Sequence, residues 1–262
     1  METIRLTREV RFSIPPHEEA LRQPVSNSWA GWPMAEIGWP SIELQCTLSG
    51  LPDAVTGYLC DIKVVDQAIR KQVVVTAAER PQVTISWDAL FTFCWQQLKS
   101  FFPADIEMVR LTMLPNPWLA WTRESGCDAV FMTQQFEFSA SHRLHNPDLS
   151  DEENRNLFGK CNNPHGHGHN YLVDVTVERT PQTPGAPRPE AMADIVKSTV
   201  IDRLDHRNLN IEIEEFRTRI PSVENIVIVI WEWLEPALGK GVLRNLRVYE
   251  TPKTWVDYSG PA

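Results

Sequence analysis

The densest chemistry in this chain lies in eleven residues, CNNPHGHGHNY at 161–171. His165, His167 and His169 alternate with Gly166 and Gly168, and a lone cysteine, Cys161, stands just ahead of them. His142 lies upstream, in FEFSASHRL. The chain has 7 histidines and six of them fall between 142 and 206, which is the clustering a metal site needs. Neutral imidazole is the commonest protein ligand for zinc. In an extended strand alternate side chains share a face, so His167 and His169 point the same way and can hold one ion. Glycine between them leaves the opposite face bare for close approach of backbone or substrate.

The third ligand is His142, arriving from a neighbouring strand, because FEFSAS alternates large apolar with small residues. Three imidazoles leave one position of a tetrahedral zinc open for water or substrate, the pattern of a catalytic site. Two other arrangements share these residues: an HxH pair incidental to a strand, and a closed structural Cys–His₃ site with Cys161 as fourth ligand. His165 is in phase with the pair but follows Pro164, and with three ligands already in hand it stays outside the set.

These residues need a fold to hold them. At 262 residues the chain has material for one large domain or two small ones. A composition of 42% hydrophobic and 23% charged residues is that of a globular protein, not a disordered one. METIRLTREVRF lacks an apolar leader region and no run of about 18 apolar residues occurs, so the expectation is a cytoplasmic protein. The five cysteines, at 46, 60, 94, 127 and 161, form no CxxC pair and no even framework, as in a reducing compartment. Cys46, Cys60 and Cys94 read as small buried hydrophobes. A net charge of −9 argues against nucleic acid or an anionic membrane as partner, but leaves an anionic small molecule open.

The order of elements occurs twice. LTREVRFSI (6–14) and MTQQFEFSA (132–140) read as strands, as do IELQCTLSG (42–50) and YLVDVTVE (171–178). Helical spacing in LCDIKVVDQAIRK (59–71) puts Ile62, Val65 and Ile69 on one face. SWDALFTFCWQQLKSFF (86–102) starts on a serine cap and matches SVENIVIVIWEWLEPAL (222–238). VRLTMLPNPWLAWTRESG (109–126) parallels LRVYETPKTWVDYSG (246–260). Strand pair, helix, helix, strand pair thus repeats over about 130 residues. The proline-rich link 179–197 reads as an exposed loop. Where the second half has its histidines the first has NSWAGWPMAEIGWP (27–40), with Trp29, Trp32 and Trp39, and where the second has YETP the first has MLPNP. The first half therefore reads as a degenerate copy whose tryptophans make interface.

FSASHRL, LSDEENRNLFGKCNNPHGHGHNY (149–171), LDHRNLN (204–210), ENIVIVIWEWL (224–234) and VYETPKTWVDYSG (248–260) occur in this order. The chain from about 130 onward resembles the 6-pyruvoyl tetrahydropterin synthases and their bacterial relatives, the 6-carboxytetrahydropterin synthases. The resemblance implies an α+β protein of tandem tunnelling-fold modules, each a four-stranded antiparallel sheet with two helices on one face, assembling into a barrel. It divides the chain into a degenerate module without a metal site (1–129) and a catalytic module (130–262). Because the family assembles six modules as two rings of three, a chain of two modules implies a homotrimer.

The resemblance also implies roles. Zinc held by His142, His167 and His169 would coordinate the side-chain hydroxyls of 7,8-dihydroneopterin triphosphate. Cys161 would act as base, a thiol near a dication and a histidine being held as thiolate. Asp205 and His206 would join it in proton transfer. Glu250 would accept from the amino and ring N–H groups of the pterin, with Glu224 in the same pocket. Ser222 and Val223 stand where family members often carry two threonines. The implied reaction is loss of triphosphate to give 6-pyruvoyl-tetrahydropterin. The alternatives are the 6-carboxytetrahydropterin synthase reaction of queuosine-type deazapurine synthesis, which also releases acetaldehyde, and a non-catalytic zinc- or pterin-binding module. No GxGxxG or GxxxxGK[ST] occurs to suggest a nucleotide cofactor.

Overall fold

A computed structural model describes residues 2–14, 21, 40–179 and 185–261. Residues 27–39, with Trp29, Trp32 and Trp39, lie outside that set, as does His17. The chain divides into two compact units, Met1–Phe131 and Met132–Ala262.

In the first unit, β1 (Ile4–Ser13), β2 (Ser41–Gly50), β3 (Ile106–Asn116) and β4 (Leu119–Glu124) pair antiparallel in that order. Alternate residues turn inward: Val10 and Phe12, then Leu44, Cys46 and Leu48, then Leu111 and Met113, all fully buried. Strand periodicity of two makes such a sheet one-sided. Two helices cover the buried side, α1 (Ile62–Ala68), which continues as a wider π turn over Ile69–Val75, and α2 (Trp87–Lys99). Ser86 caps α2 by accepting from the Ala89 amide at 3.2 Å. Val65 and Ile69 are buried as their spacing predicts, but Ile62 is not. The whole first turn of α1, 61–64, is exposed and burial begins only at Val65. Cys46 and Cys94 are buried; Cys60 is only half-buried, because it sits in the open approach to α1.

In the second unit, β5 (Val130–His142), β6 (His167–Arg179), β8 (Leu243–Thr251) and β9 (Thr254–Tyr258) follow one another across the sheet, and a short β7 (Arg207–Asn208) pairs parallel with β5 at Ala140 and Ser141. A helix α3 (Asp151–Phe158) leads into the turn Gly159–Asn162. The sheet's apolar face is covered by α4 (Pro189–Val196) and α5 (Val223–Leu238), whose Ile226, Val229, Ile230 and Leu234 are fully buried. Part of the segment read as a loop is thus helical. Pro189 opens α4, where its fixed φ suits a first turn and its missing N–H costs nothing.

The inward rows of this sheet decide where the chemistry goes. They run Phe138, Ala140, His142 on β5, His167, His169, Tyr171, Val173 on β6, and Leu246, Val248, Glu250 on β8. Each row is apolar for most of its length and turns polar at the same end, so one end of the core becomes a nest of imidazoles and a carboxylate.

Candidate metal and substrate site

His142 is fully buried. Its Nδ1 lies 2.6 Å from the Pro221 carbonyl oxygen, which can only accept, so Nδ1 carries the proton and the lone pair is on Nε2. Burial pushes its pKa down to about 4; the neighbouring imidazoles of His167 and His169 add to this and the bond to Pro221 opposes it. Burial likewise lowers His169, with Glu250 opposing. His142 and His169 therefore meet a cation as neutral ligands.

The His142 and His167 Nε2 atoms are 3.1 Å apart, and one ligand nitrogen from each of His142, His167 and His169 lies within 4.8 Å of the others. Two nitrogens on one tetrahedral zinc, each at ~2.0–2.1 Å, are about 3.3 Å apart. His142 Nε2, with the ring proton on Nδ1, is a bare lone pair aimed at the other two rings, and His169 Nε2 and His167 Nδ1 are buried with no hydrogen-bond partner. The triad fits a metal ion. Cys161 is not part of this grouping, which favours the three-histidine arrangement over the closed Cys–His₃ one.

Glu250 extends the cluster. Its Oε1 lies 3.5 Å from His142 Nε2 and 3.6 Å from His169 Nε2. Glycine is required at 166, where φ is +73° and an added Cβ would stand 2.9 Å from the His142 carbonyl. Strand β5 and the approach to β6 thus touch backbone to backbone, which brings His142 up to His167.

Tyr171 completes the wall and was not singled out from sequence, although its spacing from His167 and His169 was the available signal. Its ring stacks on Phe138 at 4.9 Å and its hydroxyl lies 3.4 Å from His142 Nδ1. Burial, with the charges of Glu250 and Cys161 nearby, raises its pKa, so it remains a neutral phenol.

Asp205 and His206 form a turn clamped to β5. The Asp205 carboxylate accepts from the Ser139 amide at 2.8 Å and from His206 Nδ1 at 2.8 Å, while the His206 amide donates to the Ser139 carbonyl at 2.6 Å. Those bonds, Ser139 first, hold the Asp205 carboxyl below its ordinary pKa. His206 adopts φ +58°, alone among the described non-glycine residues in the left-handed region, and its side chain is 82% exposed. Backbone strain of this kind clusters at functional positions, and here it presents an exposed imidazole. His206 lines a cavity of about 850 Å³ together with His169, Glu250, Ser139, Asn170 and Arg207.

Cys161 sits half-buried in the turn after α3, where its carbonyl accepts from the Leu144 amide at 2.9 Å. That loop is shaped by buried Asn154, which donates to the carbonyls of Asn146, Leu149 and Ser150. Among the described residues no hydrogen bond joins Cys161 to Asp205 or His206. Glu224 stands exposed in the first turn of α5, outside the lining of the 850 Å³ cavity.

The family model described as 6-pyruvoyl tetrahydropterin synthase matches residues 131–261. The chain belongs to the 6-pyruvoyl tetrahydropterin synthase family. It is thereby placed among lyases. The 6-pyruvoyl tetrahydrobiopterin synthase of Drosophila melanogaster is 42% identical over 136 residues, 50% of this chain and 80% of that protein. The Homo sapiens protein of the same name is 43% identical over 131 residues, 49% of this chain and 90% of that one. A solved structure of Caenorhabditis elegans 6-pyruvoyl tetrahydropterin synthase is 38% identical and covers 51% of this chain and 96% of its own, with a TM-score of 0.47. The family match falls on the unit that carries the histidines, and each unit of this α+β chain has four antiparallel strands in sequence and two covering helices.

Proposed function

We propose that this protein is a zinc-dependent lyase that converts 7,8-dihydroneopterin triphosphate into 6-pyruvoyl-tetrahydropterin with loss of triphosphate. The observation that carries the reading is the convergence of three imidazoles beside Glu250, in a unit matched to a family of that name. His142, His167 and His169 hold the ion. Zinc bound there supplies Lewis acidity, making the C–H beside a coordinated hydroxyl more acidic.

The chain's own groups do the rest. Glu250, on the rim shared by the histidines and the 850 Å³ cavity, accepts from the pterin amino and ring N–H groups. Cys161 removes the side-chain proton, and His206, oriented by Asp205, carries a proton to or from the same side chain. Glu224 contributes to pterin binding from the start of α5. The first unit is a degenerate module that serves as scaffold. With two modules per chain, the assembly is a trimer; light scattering at three chain masses supports this, and a monomer or a hexamer of chains overturns it.

Incubating zinc-loaded protein with 7,8-dihydroneopterin triphosphate and assaying triphosphate and acetaldehyde together tests the reaction. Triphosphate alone supports the pyruvoyl product. Both products transfer the assignment to 6-carboxytetrahydropterin synthesis. Neither overturns the lyase reading in favour of a binding module. Cys161→Ala is expected to lower turnover by about 10²–10⁴-fold with zinc retained; loss of zinc in that variant would restore the closed Cys–His₃ site.

A further inference from the structure

The reaction just proposed leaves one part of the second unit unused. A cavity of about 530 Å³ is lined in part by Pro221, whose carbonyl accepts from His142 Nδ1, and by Arg143 and Gly166. Arg143, His145, His165, Arg217 and Arg219 line it, and none of the described residues lining it is Asp or Glu. In a chain with net charge −9, an acid-free cavity with three guanidinium groups is a local reversal of charge. Asn208 lines both this cavity and the 850 Å³ one beside Glu250, so the two adjoin.

The cations are arranged to be available. Arg143 is fixed: the Asn210 amide brackets its backbone, accepting from its N–H at 2.7 Å and donating to its carbonyl at 2.9 Å, and its Nε donates to the Asn162 carbonyl at 3.0 Å. Asn162 Nδ2 also lies 3.1 Å from His145 Nδ1 and must donate there, which places the His145 proton on Nε2 as a donor. Among the described residues, Arg217 and Arg219 pair with exposed acids, Glu214 at 2.9 Å and Glu232 at 3.0 Å. Exposed pairs of this kind are held weakly, so a phosphate, with its bidentate match to guanidinium, can take the arginines over.

We infer that this cavity is an oligophosphate subsite that receives the triphosphate tail of the substrate while the pterin occupies the cavity beside Glu250. The inference rests on the lyase reading for its ligand, and on the acid-free lining and the adjoining cavity for its place.

Inorganic tripolyphosphate is the probe. Its binding is measured by calorimetry on zinc-free full-length protein, where chelation of the ion cannot mimic binding, and its competition with substrate is measured on the zinc-loaded enzyme. Saturable binding that the Arg217→Gln/Arg219→Gln double variant weakens about tenfold or more is expected, with KM raised by a similar factor, kcat within about twofold and zinc content unchanged. Lys240→Ala, which removes one charge elsewhere, is expected to change none of these, and a melting curve verifies that the double variant folds. Absent binding, or equal binding by the double variant, overturns the inference. Arginine-dependent binding without competition overturns the assignment to the substrate tail, leaving a site for free oligophosphate. Failure of the lyase reading is seen separately, as no triphosphate release by the unaltered protein whatever the calorimetry shows.

Discussion

His142 and Gly166 illustrate how single residues set this site. The Pro221 carbonyl fixes the His142 tautomer, and burial keeps the ring neutral, so its Nε2 meets a metal without first losing a proton. Replacing His167 or His169 with alanine is expected to take bound zinc from one ion per chain to nearly none, with the fold retained, as metal analysis beside circular dichroism would show. Gly166→Ala acts without removing any ligand. Its Cβ would meet the His142 carbonyl at 2.9 Å in a left-handed backbone, at a cost of about 1–3 kcal/mol, and the shift of β5 needed to relieve it moves His142. A lowered melting temperature together with weaker zinc binding is expected; an unchanged zinc affinity would mean that β5 does not need this contact.

At the scale of elements, β5 organises the site from both sides. Its outer neighbour is the Asp205–His206 turn on Ser139, and its C-terminal loop leads through Asn146 and α3 to Cys161. Asn154→Ala unpins that loop by stranding the carbonyls it serves, a loss of about 1–3 kcal/mol in urea unfolding. The clamp on Ser139 gives a pH signature. The Asp205 pKa in the fold lies below its unfolded value of ~3.9, so its contribution is full above that value and is lost as pH falls through the folded one. The stability gap between the unaltered protein and Asp205→Asn should therefore hold from pH 7 to about 5 and close below about 4.

Much of this element plan was legible beforehand, since a two-residue period placed the inward rows and aligned His167 with His169. What was not legible has a common cause. The Ser139 clamp spans 66 residues, the Pro221 contact 79, and the first turn of α1 lost its predicted burial to the way the chain approaches it. Tyr171 was readable in principle, being in phase with the histidines, but a tyrosine on an apolar row looks like core until its hydroxyl is found beside an imidazole.

For the molecule as a whole, the two units invest their buried polar groups differently. In the second unit they converge on a histidine triad suited to a metal; in the first, Asp66, 2% exposed, forms a two-point pair with Arg8 at 2.8 and 3.0 Å, close to buried Arg70. Among the described residues His142, His167 and His169 are the one group suited to a metal, and the first unit's sequence holds a single histidine, His17. Metal analysis is therefore expected to give one zinc per chain, not two. Asp66→Ala separates the two investments. Removing one partner of a buried pair leaves the other's charge uncompensated, at about 3 kcal/mol, the low end of the range because Arg8 keeps some contact with water. The unfolding free energy of the first unit should fall by that amount while zinc content and the triphosphate-releasing activity per folded chain are kept. Loss of zinc in Asp66→Ala would contradict a scaffold role, since it would make the ligand set of one unit depend on an ion pair buried in the other.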